Sequence, residues 1–203
     1  MVATKDRNTG SVLSAIIPTR ESERTLVPTL ASLVAGAADG VLREVIIADA
    51  GSKDATGEVA DVAGCRLLTL PGPLAARLKA GAASARGPWL LFLRPGIVLD
   101  ESWVREAARF ISANEAQGGG DPSAAVFRPG TATGRPILAE ALALLRVALG
   151  GSQRPEQGLM IAKRAYERLG GHRDHADTER DLLRRIGRRR IVVLRAGAVA
   201  VPE

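Results

Sequence analysis

The chain has 203 residues, 46% of them hydrophobic and 25% charged, the composition of an ordinary globular domain that buries about 70% of its unfolded surface. Its single cysteine, Cys65, excludes an internal disulfide framework and a cysteine-based zinc site. The formal net charge of +6 invites a nucleic-acid reading, but 3% aromatic residues are too few for base-stacking platforms, so no nucleic-acid partner is expected.

In chain order, residues 11–18 read as a strand running into Thr19-Arg20-Glu21-Ser22. Ser22 is placed to cap a helix whose Leu26, Leu30 and Leu33 recur at the helical period. Residues 44–49 form a second strand, which ends in Asp49-Ala50-Gly51-Ser52-Lys53-Asp54-Ala55-Thr56, and a short helix is predicted over 56–63. Residues 66–70 make a third strand; Pro71-Gly72-Pro73 breaks it and opens a helix to about 85. The fourth strand, 88–93, is almost wholly apolar, as expected of one covered on both faces. Asp100 caps a helix over 101–113, and Gly118-Gly119-Gly120 forms a joint. Beyond it, strands are predicted over 123–128, 158–162 and 191–194, and helices over 136–149, 165–169 and 178–186. Alternating strands and helices predict a mostly parallel central sheet flanked by helices, with Asp49 delivered to the strand end where such sheets bind ligands.

The N-terminus lacks the apolar core of a signal peptide, and no apolar run approaches the ~20 residues that span a bilayer. A cytoplasmic protein is expected. The helix 136–149, interrupted only by Glu140 and Arg146, reads either as a core helix or as a docking face for the inner membrane surface and a lipid acceptor. The late arginines (180, 184, 185, 188, 189, 190 and 195) suit a nucleoside diphosphate, an anionic lipid surface or a solvated helix face.

The two strand ends, Pro18-Thr19-Arg20-Glu21 and Asp49 through Thr56, resemble the family 2 glycosyltransferase signatures Pro-Thr-x-Asn-Glu and Asp-x-Gly-Ser-x-Asp-x-Thr. The resemblance extends over about residues 12–194. It implies a single α/β domain of the GT-A, Rossmann-like type, with a nucleotide-binding half over about 11–117 and an acceptor-side half over about 121–203. It also implies a nucleoside diphosphate sugar as partner, of UDP type, held by Thr19, Glu21, Asp49, Gly51 and Ser52. Asp49 would accept a hydrogen bond from the base or ribose; the alternative is a turn aspartate tied to its own backbone. Glu21 replaces an asparagine and can accept but not donate.

Residues 72–81 resemble the family's Gly-Arg-x-x-Gln-x-Asn-x-Gly helix start, which implies diphosphate binding by Arg77 or Lys79. Two positions apart on a helix, they do not share a face, so at most one points into the site. A third family motif, Phe-Leu-His-Ala-Asp-Thr, reads here Phe92-Leu93-Arg94-Pro95-Gly96-Ile97. A glycine stands where the aspartate would ligate Mg²⁺ or Mn²⁺, so no metal ligand is assigned and no cofactor is fixed. Arg94 could carry the diphosphate charge instead; equally, catalysis could have been lost. In Thr178-Glu179-Arg180-Asp181-Leu182, Glu179 stands where the family holds its catalytic base, or it is a solvent-facing carboxylate at a helix start. Two functions follow from the resemblance: sugar transfer to an unknown hydroxyl acceptor, or a catalytically inactive binding protein on the same fold.

Overall fold

The computed structural model describes residues 12–116, 124–130 and 157–201. The first half runs β1 (Leu13–Thr19), α1 (Glu23–Ala38), β2 (Leu42–Asp49), α2 (Thr56–Val62), β3 (Arg66–Thr69), α3 (Leu74–Ser84) and β4 (Trp89–Phe92). Then come β5 (Ile97–Leu99), α4 (Trp103–Ala116), β6 (Ala124–Pro129), β7 (Leu159–Ala162), α5 (Lys163–Arg168), α6 (Thr178–Ile186), a 3-10 turn (Arg188–Arg190) and β8 (Ile191–Ala200). The strands form one eight-stranded sheet in the order β3-β2-β1-β4-β7-β6-β8-β5. β1 pairs in parallel with β2 on one side and β4 on the other, while β7 runs antiparallel to both β4 and β6. Strand order reverses at β1, which puts a ligand crevice beyond the carboxyl ends of β1 and β4.

Burial explains the apolar strands. Every residue of β1, β4 and β7 is buried, because helices or loops cover both faces. Two glycines set how closely helices approach. A Cβ on Gly81 would lie 2.6 Å from Ile16 Cγ2, so α3 rests directly on β1. A Cβ on Gly36 would lie 2.3 Å from the Trp103 ring; Trp103 is fully buried and its Nε1 donates to Ser32 O at 2.9 Å, fastening α4 to α1.

Four sequence expectations need correction. Ser22 occupies the N-cap position of α1 but its side chain makes no cap; its Oγ accepts from Arg20 N instead. Asp100 accepts from Ser102 N and from the Gly197 amide, and the helix starts at Trp103 rather than 101. β5 is not among the predicted strands, because three residues carry no period. β8 extends to Ala200, where pairing of Gly197 and Ala198 with β6 and of residues 198–200 with β5 overrides weak strand propensity. The predicted helix 136–149, with the membrane docking read from it, lies outside the described residues, as does the glycine joint at 118–120. Among the described residues no helix is long and apolar enough to cross a membrane.

Residues 166–185 are tied together by a network that is part-buried at Arg185 and buried at Tyr166 and His172. The Arg185 guanidinium donates to Leu169 O and Gly171 O, both at 2.6 Å, and its Nε to Asp181 Oδ2 at 2.8 Å. Beside it the Tyr166 hydroxyl accepts from His172 N at 3.1 Å and lies 2.9 Å from His172 Nδ1. Burial, reinforced by the nearby Arg185 charge, pushes His172 down to about 3. In the unfolded chain a histidine titrates near 6.5, so below that pH the unfolded state binds a proton that the folded state refuses. Stability is therefore intact above pH ~6.5 and falls as pH drops toward ~3. Thermal melts from pH 7.5 to 5 should show a falling Tm, with the slope reduced in His172→Gln; an unchanged slope would mean the histidine is not held neutral.

Candidate active site

The two loops that follow β1 and β2 bind each other. Asp49, 4% exposed, accepts four hydrogen bonds: Oδ1 from Thr19 Oγ1 at 2.8 Å and Ser52 Oγ at 2.6 Å, Oδ2 from Gly51 N and Ser52 N, both at 2.7 Å. Burial alone would push its pKa up, but the bonds from Ser52, Thr19 and Gly51 hold it below the usual carboxylate range. Gly51 sits at φ 93, which makes the tight return possible. Glu21 N donates to Ser52 Oγ at 2.8 Å and Glu21 Oε1 accepts from Lys53 N at 2.9 Å. These two bonds keep Glu21 at φ 49, a left-handed conformation that L residues avoid. Ser22 N donates to Thr56 Oγ1 at 2.8 Å. Asp54 Oδ2 accepts from Glu23 N at 3.1 Å, while Glu23 Oε2 accepts from Ala55 N at 3.0 Å. The start of α1 thus carries a carboxylate from the loop before α2, and the start of α2 one from the first residue of α1.

This arrangement changes what the motif residues can do. A carboxylate offers about four lone-pair positions, and Asp49 spends all four inside the protein. The turn reading of Asp49 accounts for its geometry, and a nucleotide could reach it only by displacing one of these donors. Thr19, Gly51 and Ser52 are bound to it in the same way.

A cleft of 390 Å³ opens at the β1/β4 switch point, lined among others by Thr19, Arg20, Glu21, Arg77, Arg94 and Gly96. Arg77 is 9% exposed; its Nη1 donates to Thr19 O at 2.8 Å and Ala48 O at 3.1 Å, tying together the ends of β1 and β2. Its Nε is buried without a hydrogen-bond partner. Burial and then repulsion from Arg20, against attraction from Asp49, shift Arg77 below its ordinary pKa. Exposed Arg20 completes a trio of guanidinium groups along the cleft. It stands at the variable position of the first motif, where sequence reasoning gave it no role. Lys79 is not brought here: it is exposed and lines a separate depression with Tyr166 and Gly170, on the other face of α3 from Arg77.

A second cleft of 460 Å³ adjoins the first, lined by Leu74, Asp174, His175, Asp177, Glu179 and Arg180 among others. Arg94 and Leu74 line both clefts. Arg94 Nε donates to Glu179 Oε1 at 3.1 Å and Oε2 at 2.8 Å, and Nη2 also donates to Oε2. The two residues singled out separately as diphosphate ligand and base are therefore one bidentate ion pair at the boundary. The late arginines do not act together. Arg185 is in the network described above, Arg180 pairs with Asp177 at 3.2 Å, and Arg184, Arg188, Arg189 and Arg190 are exposed.

A hard divalent cation needs several oxygen ligands, and the described residues that line this cleft do not fit one. Gly96 sits at φ 84 with its N–H bonded to Thr25 O and Thr29 Oγ1, both at 2.9 Å. The backbone there is turned away from the conformation a ligating L residue would favour. The carboxylates of Asp49 and Glu179 are engaged as described, and among the described residues no group of three or more His, Cys, Asp or Glu could hold a metal.

A curled α/β sheet with its crevice at this switch point is the GT-A fold of glycosyltransferases. The chain belongs to glycosyl transferase family 2, whose model matches residues 14–167. Among solved structures, residues 1–349 of TarS from S. aureus superpose with a TM-score of 0.69 at 15% identity, covering 94% of this chain and 60% of that one. The mannosyltransferase PcManGT from Pyrobaculum calidifontis, in complex with GDP-Man and Mn²⁺, gives 0.70 at 17% identity, covering 97% and 59%. Glucosyl-3-phosphoglycerate synthase from Mycobacterium tuberculosis, in complex with Mn²⁺, UDP and glucosyl-3-phosphoglycerate, gives 0.63 at 20%, covering 96% and 73%. The chain thus spans about three-fifths of the first and second of these. A search of curated protein sequences returns no match.

Proposed function

We propose that this protein binds a nucleoside diphosphate sugar in the β1/β4 cleft and transfers the sugar, with inversion, to a hydroxyl acceptor in the adjoining cleft. The observation that carries this reading is the trio Arg20, Arg77 and Arg94 along a cleft whose residues do not fit a metal. Guanidinium groups bind phosphate oxygens through paired, charge-assisted hydrogen bonds, so they can take the charge that builds on a departing diphosphate. The anomeric carbon–phosphate oxygen bond breaks and the diphosphate leaves with the electron pair. The acceptor oxygen forms the new bond from the opposite face and gives its proton to Glu179. A second reading, a binding protein without turnover, draws on the engagement of both Glu179 oxygens by Arg94.

Calorimetric titration with UDP, GDP and their sugars, in EDTA and in Mn²⁺, tests the proposal. Affinity should agree within about twofold between the two conditions. Arg20→Ala, at an exposed position that leaves the fold intact, should weaken binding about fivefold, near 1 kcal/mol, and lessen its salt dependence. A strong, saturable Mn²⁺ requirement would overturn the arginine assignment.

A further inference from the structure

The Arg94–Glu179 pair joins residues 85 positions apart and stands on the boundary between the two clefts. In this state neither end is ready for chemistry. Glu179, its side chain 13% exposed, has both oxygens bonded to Arg94, which occupies three of its roughly four lone-pair positions. Arg94, 40% exposed, faces Glu179 with the Nε–Nη2 edge of its fork, one of the two edges through which a guanidinium pairs with a phosphate. A diphosphate and a carboxylate compete for the same donors, and the diphosphate carries more charge and more acceptor oxygens.

We propose that this ion pair is a donor-operated latch: a nucleoside diphosphate entering the first cleft takes Arg94 and thereby frees the Glu179 carboxylate toward the second. The inference rests on the donor site proposed above. Its logic is exchange of one guanidinium between two anions, so it needs no movement of the sheet. The base is exposed only when a donor is seated. Beside an empty donor cleft the Glu179 carboxylate stays held by Arg94, and the acceptor meets a freed base only when a donor is seated. Because the latch must be broken by the donor, it subtracts from donor affinity by linkage.

The consequence runs opposite to that of an ordinary base or an ordinary ligand residue. Glu179→Gln removes the competing charge, so the full chain should bind UDP about fivefold more tightly than wild type, the span of a part-exposed ion pair. Arg94→Ala should bind UDP more weakly, and adding Glu179→Gln to it should bring no recovery, because the gain acts only through Arg94. In wild type, the Glu179 side-chain ¹³C carboxylate resonance, assigned through the Glu179→Gln variant, should move when UDP is added; GDP serves as the parallel probe. Glu179→Ala gives the same affinity comparison if the glutamine variant melts early. Weaker binding by Arg94→Ala together with wild-type affinity in Glu179→Gln, or a carboxylate resonance indifferent to nucleotide, overturns the latch while leaving the donor site in place. Unchanged binding by Arg94→Ala, or binding of neither UDP nor GDP by wild type, overturns the donor site and the latch with it.

Discussion

Glu179→Gln should lower sugar transfer about 10²- to 10⁴-fold, the usual cost of losing a general base, while donor affinity does not fall. The substitution is nearly isosteric and keeps a hydrogen-bond acceptor beside Arg94, so the boundary between the clefts keeps its shape. What disappears is the capacity to take the acceptor proton as the new glycosidic bond forms, an interaction that matters only in the transition state. The expected result is thus a fall in turnover with no rise in the donor constant. A panel of UDP- and GDP-sugars, scored for transfer or slow hydrolysis by wild type and variant, measures it. Equal rates in the two proteins would remove Glu179 from the chemistry. Measurable nucleotide binding by a wild type that turns over no donor would favour the binding protein over the enzyme.

Asp49→Ala should destabilise the fold by about 3 kcal/mol, since it strands two backbone amides and two hydroxyls in a buried turn. For a chain of this length that is a fall of roughly 6–12 °C in Tm. Asp49→Asn, which keeps one oxygen, should lose about half as much. Differential scanning calorimetry measures both. If Asp49→Ala melts within about 2 °C of wild type yet binds no UDP, the carboxylate serves ligand rather than structure, and its four internal bonds are incidental.

The first half of the fold was open to sequence reading because its signals are local. The apolar runs of β1, β2 and β4, the Leu26, Leu30, Leu33 stripe and the Pro71-Gly72-Pro73 break each act within a few residues. β5 and the far end of β8 are hidden because they form by long-range pairing: β5 with β8, joining Ile97 to Ala200, and β8 with β6 as well. The site divided along the same line. Asp49, Gly51, Ser52, Asp54 and Thr56 could be picked out by spacing, yet spacing does not show that Asp49 and Ser52 bond to each other and to the facing loop. Arg20 fell at a variable position and carried no signal. Arg77 and Lys79 looked equivalent until α3 was placed on β1, with Arg77 turned inward to Thr19 O and Ala48 O. The contact of Arg94 with Glu179 could not be read at all, because nothing local links a strand end to a helix start in the other half of the chain.

The exchange of caps between α1 and α2 has a bearing on how any phosphate can be held. Many α/β proteins seat phosphates on the positive dipole end of a helix, where unpaired amides point at the ligand. Here Asp54 and Glu23 already place negative charge at those two ends, and a phosphate brought there would meet repulsion rather than attraction. At α1 and α2 the helix fields are spent on the protein's own architecture. Neither of these two helix starts can then hold a diphosphate, and the arginines of the cleft supply an ionic kind of grip that weakens as salt rises.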